Sequence, residues 1–472
     1  MKNDSHSNSA RTVDLRGLVV GVDTPVPVAG GGEKPYINFD NAASTPVLKT
    51  VLDTVAEFSI WYSNVHRGTG YKSKLSSWAF EQSRERIYRF VQASPEHKIV
   101  LFTRNTTESV NHLADRFPFQ KRDIVLTTVM EHHSNELPWR RVAHVVHVAV
   151  LPDGRIDEVD LCAKLKQFHG QIALFAVTGA SNVTGFINPI HQYARWTHEA
   201  GAKIFVDAAQ LAPHRPIDMK DKDDPEHLDY LAFSAHKMYA PFGVGVLVAD
   251  RKVFEHGDPC LVGGGAVDIV NLENAYWSDL PDKEEAGTPD IIGAVALGSV
   301  IKLFGEIGWQ AVIDHETDLT AYALARLKRI PGVTVFGDAD PKNARQRLGV
   351  IPFNLGSLSH ALVAAVLSYE WAIGTRSGCF CAHPYVKCLL HVDDRAAKKL
   401  EKRILNRDRS VIPGLVRASF GIYNTKQEID VLCEALTAIA DGRFLDGYAM
   451  NPERGEYSRK DFSEAFEQRL SL

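Results

Sequence analysis

The feature that most constrains this chain is a repeated alternation. Short apolar runs at 99–102, 124–129, 145–150, 172–177, 204–206, 228–233 and 245–248 are separated by segments with helical periodicity. Apolar runs without a polar alternate face belong to strands covered on both sides. Seven of them joined through helices predict an α/β fold built on a seven-stranded, mostly parallel sheet. A sheet of that kind binds ligands beyond the carboxyl ends of its strands. The residues that follow each run are therefore where chemistry is expected.

Near Thr288-Pro289 the pattern changes to long helices over 291–304 and 309–329, then strands at 333–336 and 350–355, a helix over 360–369 and a last helix over 426–439. This predicts a second, smaller α+β domain. The expected division is a disordered or extended segment 1–36, a linking helix that starts the small domain at 37–60, a large domain 61–300, the small domain 301–446 and a tail 447–472. Ser44-Thr45-Pro46 reads as an N-cap with a first-turn proline for a helix burying Val47, Val51, Val55 and Phe58. The densely charged stretch 391–410 reads as a solvated helix or surface excursion. Phe462, Phe466 and Leu470 share one helical stripe, expected to pack on the body.

A formal net charge of -5 spread over both signs argues against general affinity for nucleic acid or an anionic membrane. The polar start has no apolar secretory core, and no apolar stretch approaches membrane-spanning length. A cytoplasmic enzyme acting on a small molecule is expected. Six cysteines in 472 residues form no disulfide framework, but Cys379, Cys381 and Cys388 cluster, which suggests chemistry.

Five strand ends carry polar groups. Arg104-Asn105-Thr106-Thr107-Glu108 offers hydroxyls and free N–H groups at a helix start, where an anion is favoured. Glu131-His132-His133-Ser134-Asn135 supplies a histidine able to stack on a ring and move protons near neutral pH; no His-Glu-x-x-His zinc spacing is present, and no metal site is expected. Ser181-Asn182-Val183-Thr184-Gly185 presents an amide. Val206-Asp207-Ala208-Ala209-Gln210 and Phe233-Ser234-Ala235-His236-Lys237 end in an acid and an amine. A lysine and a carboxylate at strand ends are what pyridoxal 5′-phosphate requires. The amine forms a Schiff base with its aldehyde, and the acid keeps the pyridine nitrogen protonated.

Together with Phe39-Asp40-Asn41-Ala42-Ala43, Asn64-Val65-His66-Arg67-Gly68, Glu285-Ala286-Gly287-Thr288-Pro289 and Arg417-Ala418-Ser419-Phe420-Gly421-Ile422-Tyr423-Asn424, these stretches resemble the class V aminotransferase-like enzymes of fold type I. The resemblance is nearest to the group II cysteine desulfurases and selenocysteine lyases. It implies Lys237 as the Schiff-base lysine, Asp207 as the pyridinium partner, Gln210 as a donor to the ring hydroxyl, and His132 as the stacking acid or base. It also implies Thr106, Thr107, Ser234 and His236 around the phosphate, Asn182 near cofactor and substrate, Arg417 on the substrate α-carboxylate, and Thr288 reaching in from a second subunit of a homodimer.

Arg376-Ser377-Gly378-Cys379-Phe380-Cys381-Ala382-His383 resembles the desulfurase loop, and its Arg-x-Gly-x-x-Cys spacing gives the thiolate role to Cys381, with Arg376 beside the substrate. The Gly-Cys-Phe-Cys wording is also similar to molybdenum cofactor sulfurases. The reaction so implied takes L-cysteine to L-alanine, with sulfur held as a persulfide on Cys381 and passed to an acceptor protein. Selenocysteine lyase, C–S lyase, epimerase or aminotransferase chemistry are the alternatives on this scaffold. A free thiol is mostly protonated at neutral pH, so His383, Arg376 or His132 must assist. Zinc held by Cys379, Cys381, His383 and Cys388 is disfavoured, because the spacings fit no common finger. Asn105 replaces the family's usual glycine, a change expected to be tolerated because asparagine accepts a left-handed backbone.

Overall fold

The computed structural model describes residues 14–66, 68–119, 122–464 and 466–470. The seven expected strands form one sheet: β1 (Lys98–Thr103), β2 (Ile124–Thr128), β3 (His144–Val148), β4 (Ile172–Thr178), β5 (Lys203–Asp207), β6 (Tyr230–Ser234) and β7 (Gly245–Asp250). Their spatial order is β1-β7-β6-β5-β4-β2-β3. The β2–β3, β2–β4, β4–β5 and β5–β6 pairs are parallel, whereas β7 runs antiparallel to both β1 and β6. Strand β4 is buried at all seven positions, as a central strand with helices on both faces must be.

Helix α1 (Lys49–Trp61) buries Val51 and Phe58. It starts later than Ser44-Thr45-Pro46 suggested. Those hydroxyls are drawn into tertiary bonds instead: Ser44 Oγ and Thr45 Oγ1 donate to the His236 carbonyl at 3.1 and 3.2 Å, and Thr45 Oγ1 accepts from Tyr239 N at 2.7 Å. A capping signal has been used to wrap the segment entering α1 around the turn that carries Lys237. Helix α2 (Tyr71–Phe90) packs on the long apolar helix α4 (Ile291–Ile307), and α3 (Thr106–Arg116) follows β1.

The small domain centres on β8 (Val333–Val335), β9 (Val350–Leu355), β10 (Arg376–Gly378) and β11 (Leu415–Ser419), in the order β8-β9-β11-β10, all antiparallel. Helices α5 (Trp309–Leu327), α6 (His360–Trp371) and α9 (Lys426–Ala440) cover it, around a core that includes Phe353, Val363 and Leu436. Helix α9 opens with a full capping box between Thr425 and Glu428.

Two expectations at the chain ends are revised. Residues 14–36 form a 3-10 turn and a hairpin, Pro25–Pro27 with Glu33–Pro35; the rest of that segment lies outside the described residues. Arg16 explains the order, since its guanidinium donates to Tyr423 O and to Glu428, both at 2.9 Å. The tail does not pack as one stripe. Tyr448–Asn451 and Glu456–Arg459 pair as a hairpin, Phe462 meets Tyr369 edge-on at 5.5 Å, and Phe466 and Leu470 remain exposed. The charged stretch holds α8 (Asp394–Leu405), which buries none of its described residues; α7 (His383–Leu389) precedes it. Among the described residues no single helix is long and apolar enough to cross a membrane.

Candidate active site

A cavity of about 460 Å³ opens at the carboxyl ends of β4, β5 and β6 and is closed over by the small domain. Its volume lies in the range of small-molecule and cofactor sites. Lys237 reaches it from the 3-10 turn Ala235–Lys237 that follows β6. Desolvation lowers the affinity of its amine for a proton, Asp207 opposes that shift and Arg417 adds to it. Asp207, at the end of β5, is buried, and burial raises its pKa although Ala209 N–H, donating at 2.9 Å, and Lys237 pull the other way. An amine pushed toward its neutral, nucleophilic form thus shares a floor with a sequestered acid.

One wall is an anion cradle. Helix α3 begins at Thr106, and Asn105 caps it by accepting from Glu108 N. Thr106 N donates to Ser234 Oγ at 2.8 Å, the two hydroxyls are 2.6 Å apart, and Thr107 Oγ1 meets Ser134 Oγ at 2.7 Å. The expectation that Asn105 occupies a left-handed backbone is wrong. Its φ is -173°, ordinary extended backbone, and its value lies in the cap. Gly245 of β7 is the residue that cannot change, because a Cβ there would stand 2.5 Å from the Asn105 backbone. His236 completes the wall; burial, with Lys237 adding, pushes its pKa down to about 4, so it is neutral at physiological pH.

His132 lines the same cavity. Its Nδ1 accepts from Ser134 N at 3.1 Å, which fixes the tautomer with the hydrogen on Nε2. Burial, then Lys237, His133 and Arg417, push its pKa down to about 3. His132 is therefore a neutral ring with one donor, and its basicity lies below that of a free imidazole. Behind it Glu131 is buried, receiving Thr128 Oγ1 at 2.6 Å and Asn135 Nδ2 at 2.7 Å. Burial dominates those bonds and raises its pKa to about 8, with Asp207 contributing.

Three expected contacts are differently engaged. Gln210 lines the cavity but gives its amide nitrogen to Ala42 O at 2.6 Å. Asn182 donates to Phe380 O at 2.8 Å, so its amide holds the cysteine loop. Arg417 is buried, donates to Asn182 O at 2.9 Å and to Asp40 Oδ1 at 2.7 Å, and lies 4.9 Å over the Phe380 ring. Among the described residues its buried Nε has no partner. Arg376 approaches Asp40 Oδ2 at 3.7 Å. One carboxylate between two guanidiniums leaves a net positive charge for an incoming anion. Asp40, Phe380 and Glu131 carry roles the sequence reading left unassigned, although all three fall in motifs it singled out.

The cysteine loop separates its two thiols. Cys379 is buried, donates to Pro413 O at 2.9 Å, and has its pKa pushed up to about 11 by burial. Cys381 is exposed and lines the cavity. Phe380 and Cys381 adopt φ of 51° and 54° in succession, a conformation costing about 1–3 kcal/mol per residue outside glycine. It is held by Asn182 Nδ2 on Phe380 O and by His133 N on Cys381 O at 2.8 Å. His383 stacks on His133 with centroids 4.7 Å apart. Thr288 is exposed and lines a different hollow with Pro289 and Glu285, away from Lys237 in this chain. Among the described residues Cys379, Cys381, His383 and Cys388 do not converge as a metal-ligand group.

A buried acid, a desolvated amine, a helix-start cradle and two guanidiniums sharing one carboxylate suit a phosphorylated pyridine aldehyde and an amino acid. The comparisons agree. Residues 37–432 match the Aminotransferase class-V family. The chain is 34% identical over 411 residues to a probable cysteine desulfurase of Halalkalibacterium halodurans, spanning 85% of this chain and 92% of that protein. It is 33% identical to a cysteine desulfurase of Haloferax volcanii, spanning 86% and 89%. Among solved structures, the apo cysteine desulfurase of Thermococcus onnurineus superposes with a TM-score of 0.75 at 31% identity over 86% of this chain and 95% of that one. An Escherichia coli cysteine desulfurase gives 0.72 at 27% identity over 87% and 96%. By that family match, by its identity to these desulfurases over most of both chains and by the superposition of its fold on theirs, the chain belongs to the class-V aminotransferase family of pyridoxal phosphate enzymes, in the branch of the cysteine desulfurases.

Proposed function

We propose that this protein is a pyridoxal 5′-phosphate-dependent cysteine desulfurase that converts L-cysteine to L-alanine and carries the sulfur as a persulfide on Cys381. The observation that carries the reading is the division of labour in the loop: Cys381 opens into the cavity that holds Lys237 and Arg417, while Cys379 is buried and bonded away from it.

Thr106, Thr107, Ser234 and His236 would hold the phosphate, Asp207 the pyridine nitrogen and Lys237 the aldehyde carbon, with His132 against the ring and Gln210 at its edge. The bound cofactor supplies an electron sink conjugated to the substrate carbons. Arg417 and Arg376 orient the α-carboxylate. Asn182 acts through Phe380 O, holding the cysteine loop over the substrate. Lys237, favoured as the neutral amine by desolvation, takes the proton from Cα. His383, two residues from Cys381, has its pKa lowered by partial desolvation and by Lys387 and serves as the base for the thiol. The Cys381 thiolate then attacks the substrate Sγ: an S–S bond forms, the C–S bond breaks, and its electron pair stays on the carbon skeleton, which takes one proton at Cβ and recovers the Cα proton from Lys237 to become alanine. Substrate and thiol together become alanine and persulfide, with no outside oxidant.

Thr288, exposed and remote from Lys237 here, would complete the cradle of a partner subunit, making the working unit a cytoplasmic homodimer that passes sulfur to an acceptor protein. The test is mass spectrometry after brief exposure to cysteine. A sulfur adduct on the Cys381 peptide, absent in Cys381→Ser, is expected. Pyruvate, ammonia and sulfide released by Cys381→Ser at the wild-type rate would instead place the protein among C–S lyases.

A further inference from the structure

At the opposite end of the sheet, His198, His227 and Asp229 converge, with one ligand atom from each lying within 4.8 Å of the others. His198 closes the helix Ile190–Glu199, His227 precedes β6, and Asp229 immediately adjoins Tyr230, the first residue of β6. The two imidazoles stack with centroids 4.2 Å apart and planes 20° from parallel. Asp229 is fully buried, while the histidine side chains keep a small solvent-facing edge.

The hydrogen positions are forced by the partners. His198 Nδ1 lies 2.8 Å from Pro225 O, and His227 Nδ1 lies 2.7 Å from Asp224 O. A carbonyl only accepts, so both rings carry hydrogen on Nδ1. Each Nε2 then faces the Asp229 carboxylate, at 2.8 Å for His198 and 3.3 Å for His227. Neutral rings would aim two lone pairs at an anion, so something positive must lie between them. Two additional protons would make stacked imidazoliums beside the Lys203 ammonium, which already holds Asp229 Oδ1 at 2.6 Å. His198 Nε2 faces Oδ2 and His227 Nε2 faces Oδ1; one divalent ion taken by both rings and the carboxylate satisfies them without stacking two cations.

We propose that His198 Nε2, His227 Nε2 and Asp229 form a site for a divalent transition cation of the zinc or cobalt class. Carbonyl-oriented Nδ1–H groups are the usual outer partners of metal-binding histidines. Ligands about 2.0–2.1 Å from a tetrahedral ion stand roughly 3.3 Å apart, against a present spread of up to 4.8 Å; water fills the open side. The carboxylate is already aimed, through Ile204 N on Oδ2 at 2.9 Å and Lys203 on Oδ1. Lys98 donates to the Asp229 carbonyl and to Asp250, which Lys203 also approaches. These cations keep the affinity moderate. The ion would tie the starts of β5 and β6, the strands whose far ends deliver Asp207 and Lys237. This departs from the expectation of no metal site and is independent of the desulfurase reading.

Cobalt(II) is the probe. Titrated into the purified protein, it should give weak visible bands without thiolate charge transfer and a raised melting temperature, both lost in His198→Gln and in His227→Gln. Bands and shift that persist in both variants, or wild-type protein that takes up no cobalt(II) at hundred-micromolar concentration, would overturn the site. Should the variants not fold, crystals of the wild-type protein grown with cobalt(II) decide: an anomalous-scattering peak between the two Nε2 atoms and Asp229 supports it, and no peak there means the gap holds protons.

Discussion

The floor and the rim of the cavity obey different physics. On the floor, Asp207, Glu131, His132 and Lys237 have their protonation governed by lost solvent: acids pushed up, bases pushed down. On the rim, Arg376, Cys381 and His383 are exposed and stand on a strained turn pinned at two backbone atoms. The floor is buried and tunes protonation; the rim is reachable, as the proposed transfer of sulfur requires. A desulfurase needs both, since the first half of its reaction must exclude water and the second must admit a partner.

The largest effect should come from the floor. Lys237→Ala is expected to abolish the visible absorption of the lysine-linked cofactor and lower turnover on the order of 10³-fold or more, read by spectroscopy and alanine release. Retained absorption would mean the floor does not hold the cofactor through this amine. At the boundary between the regions, Arg417→Lys removes the fork that Asp40, Asn182 O and substrate share. Losing a charge-assisted bond of about 1.5–3 kcal/mol should raise KM for cysteine roughly 10- to 100-fold with a smaller change in kcat. An unchanged KM would move carboxylate binding to Arg376 alone.

Glu131→Gln sharpens the argument about solvent. The carboxyl of Glu131 has its folded pKa raised from 4.5 to about 8, so the folded state holds a proton that the unfolded state has lost between those values. Its contribution to stability is full below about 4.5 and lost as pH rises through about 8. Thermal melts of the cofactor-free protein should therefore show the variant gaining on wild type between pH 6 and pH 9, on the order of 1 kcal/mol or more. A difference independent of pH would show that Glu131 is ionised throughout. The smallest effect is expected at Cys379→Ser, where a hydroxyl can keep the bond to Pro413 O: activity within about twofold and stability within about 1 kcal/mol. Inactivation equal to that of Cys381→Ser would erase the distinction between the two thiols.

Much of the site was legible because its residues follow apolar runs. Asp207 ends β5, Ser234 ends β6, and Lys237 comes one turn later; sequence position alone put them at one edge of the sheet. Contacts between distant segments were not legible. Asp40 pairs with Arg417 across the small-domain sheet, Thr45 leaves its helix to bond His236 and Tyr239, and Asn182 spends its amide on Phe380 O. Each depends on where two chain segments meet, which no local pattern encodes. Asn105 was misread for a related reason: a residue type that tolerates a left-handed backbone also caps helices, and the choice is made by the approach of Gly245.

By itself the sequence determined the strand count, the layered α/β architecture and the set of strand-end groups, because apolar periodicity and strand-end position are local and cumulative. The tertiary structure decided which of those groups are charged, which thiol faces the cavity, and which donors are already engaged. Solvent exclusion and hydrogen-bond competition are properties of the assembled surroundings, and they exist only once residues far apart in the chain have been packed together.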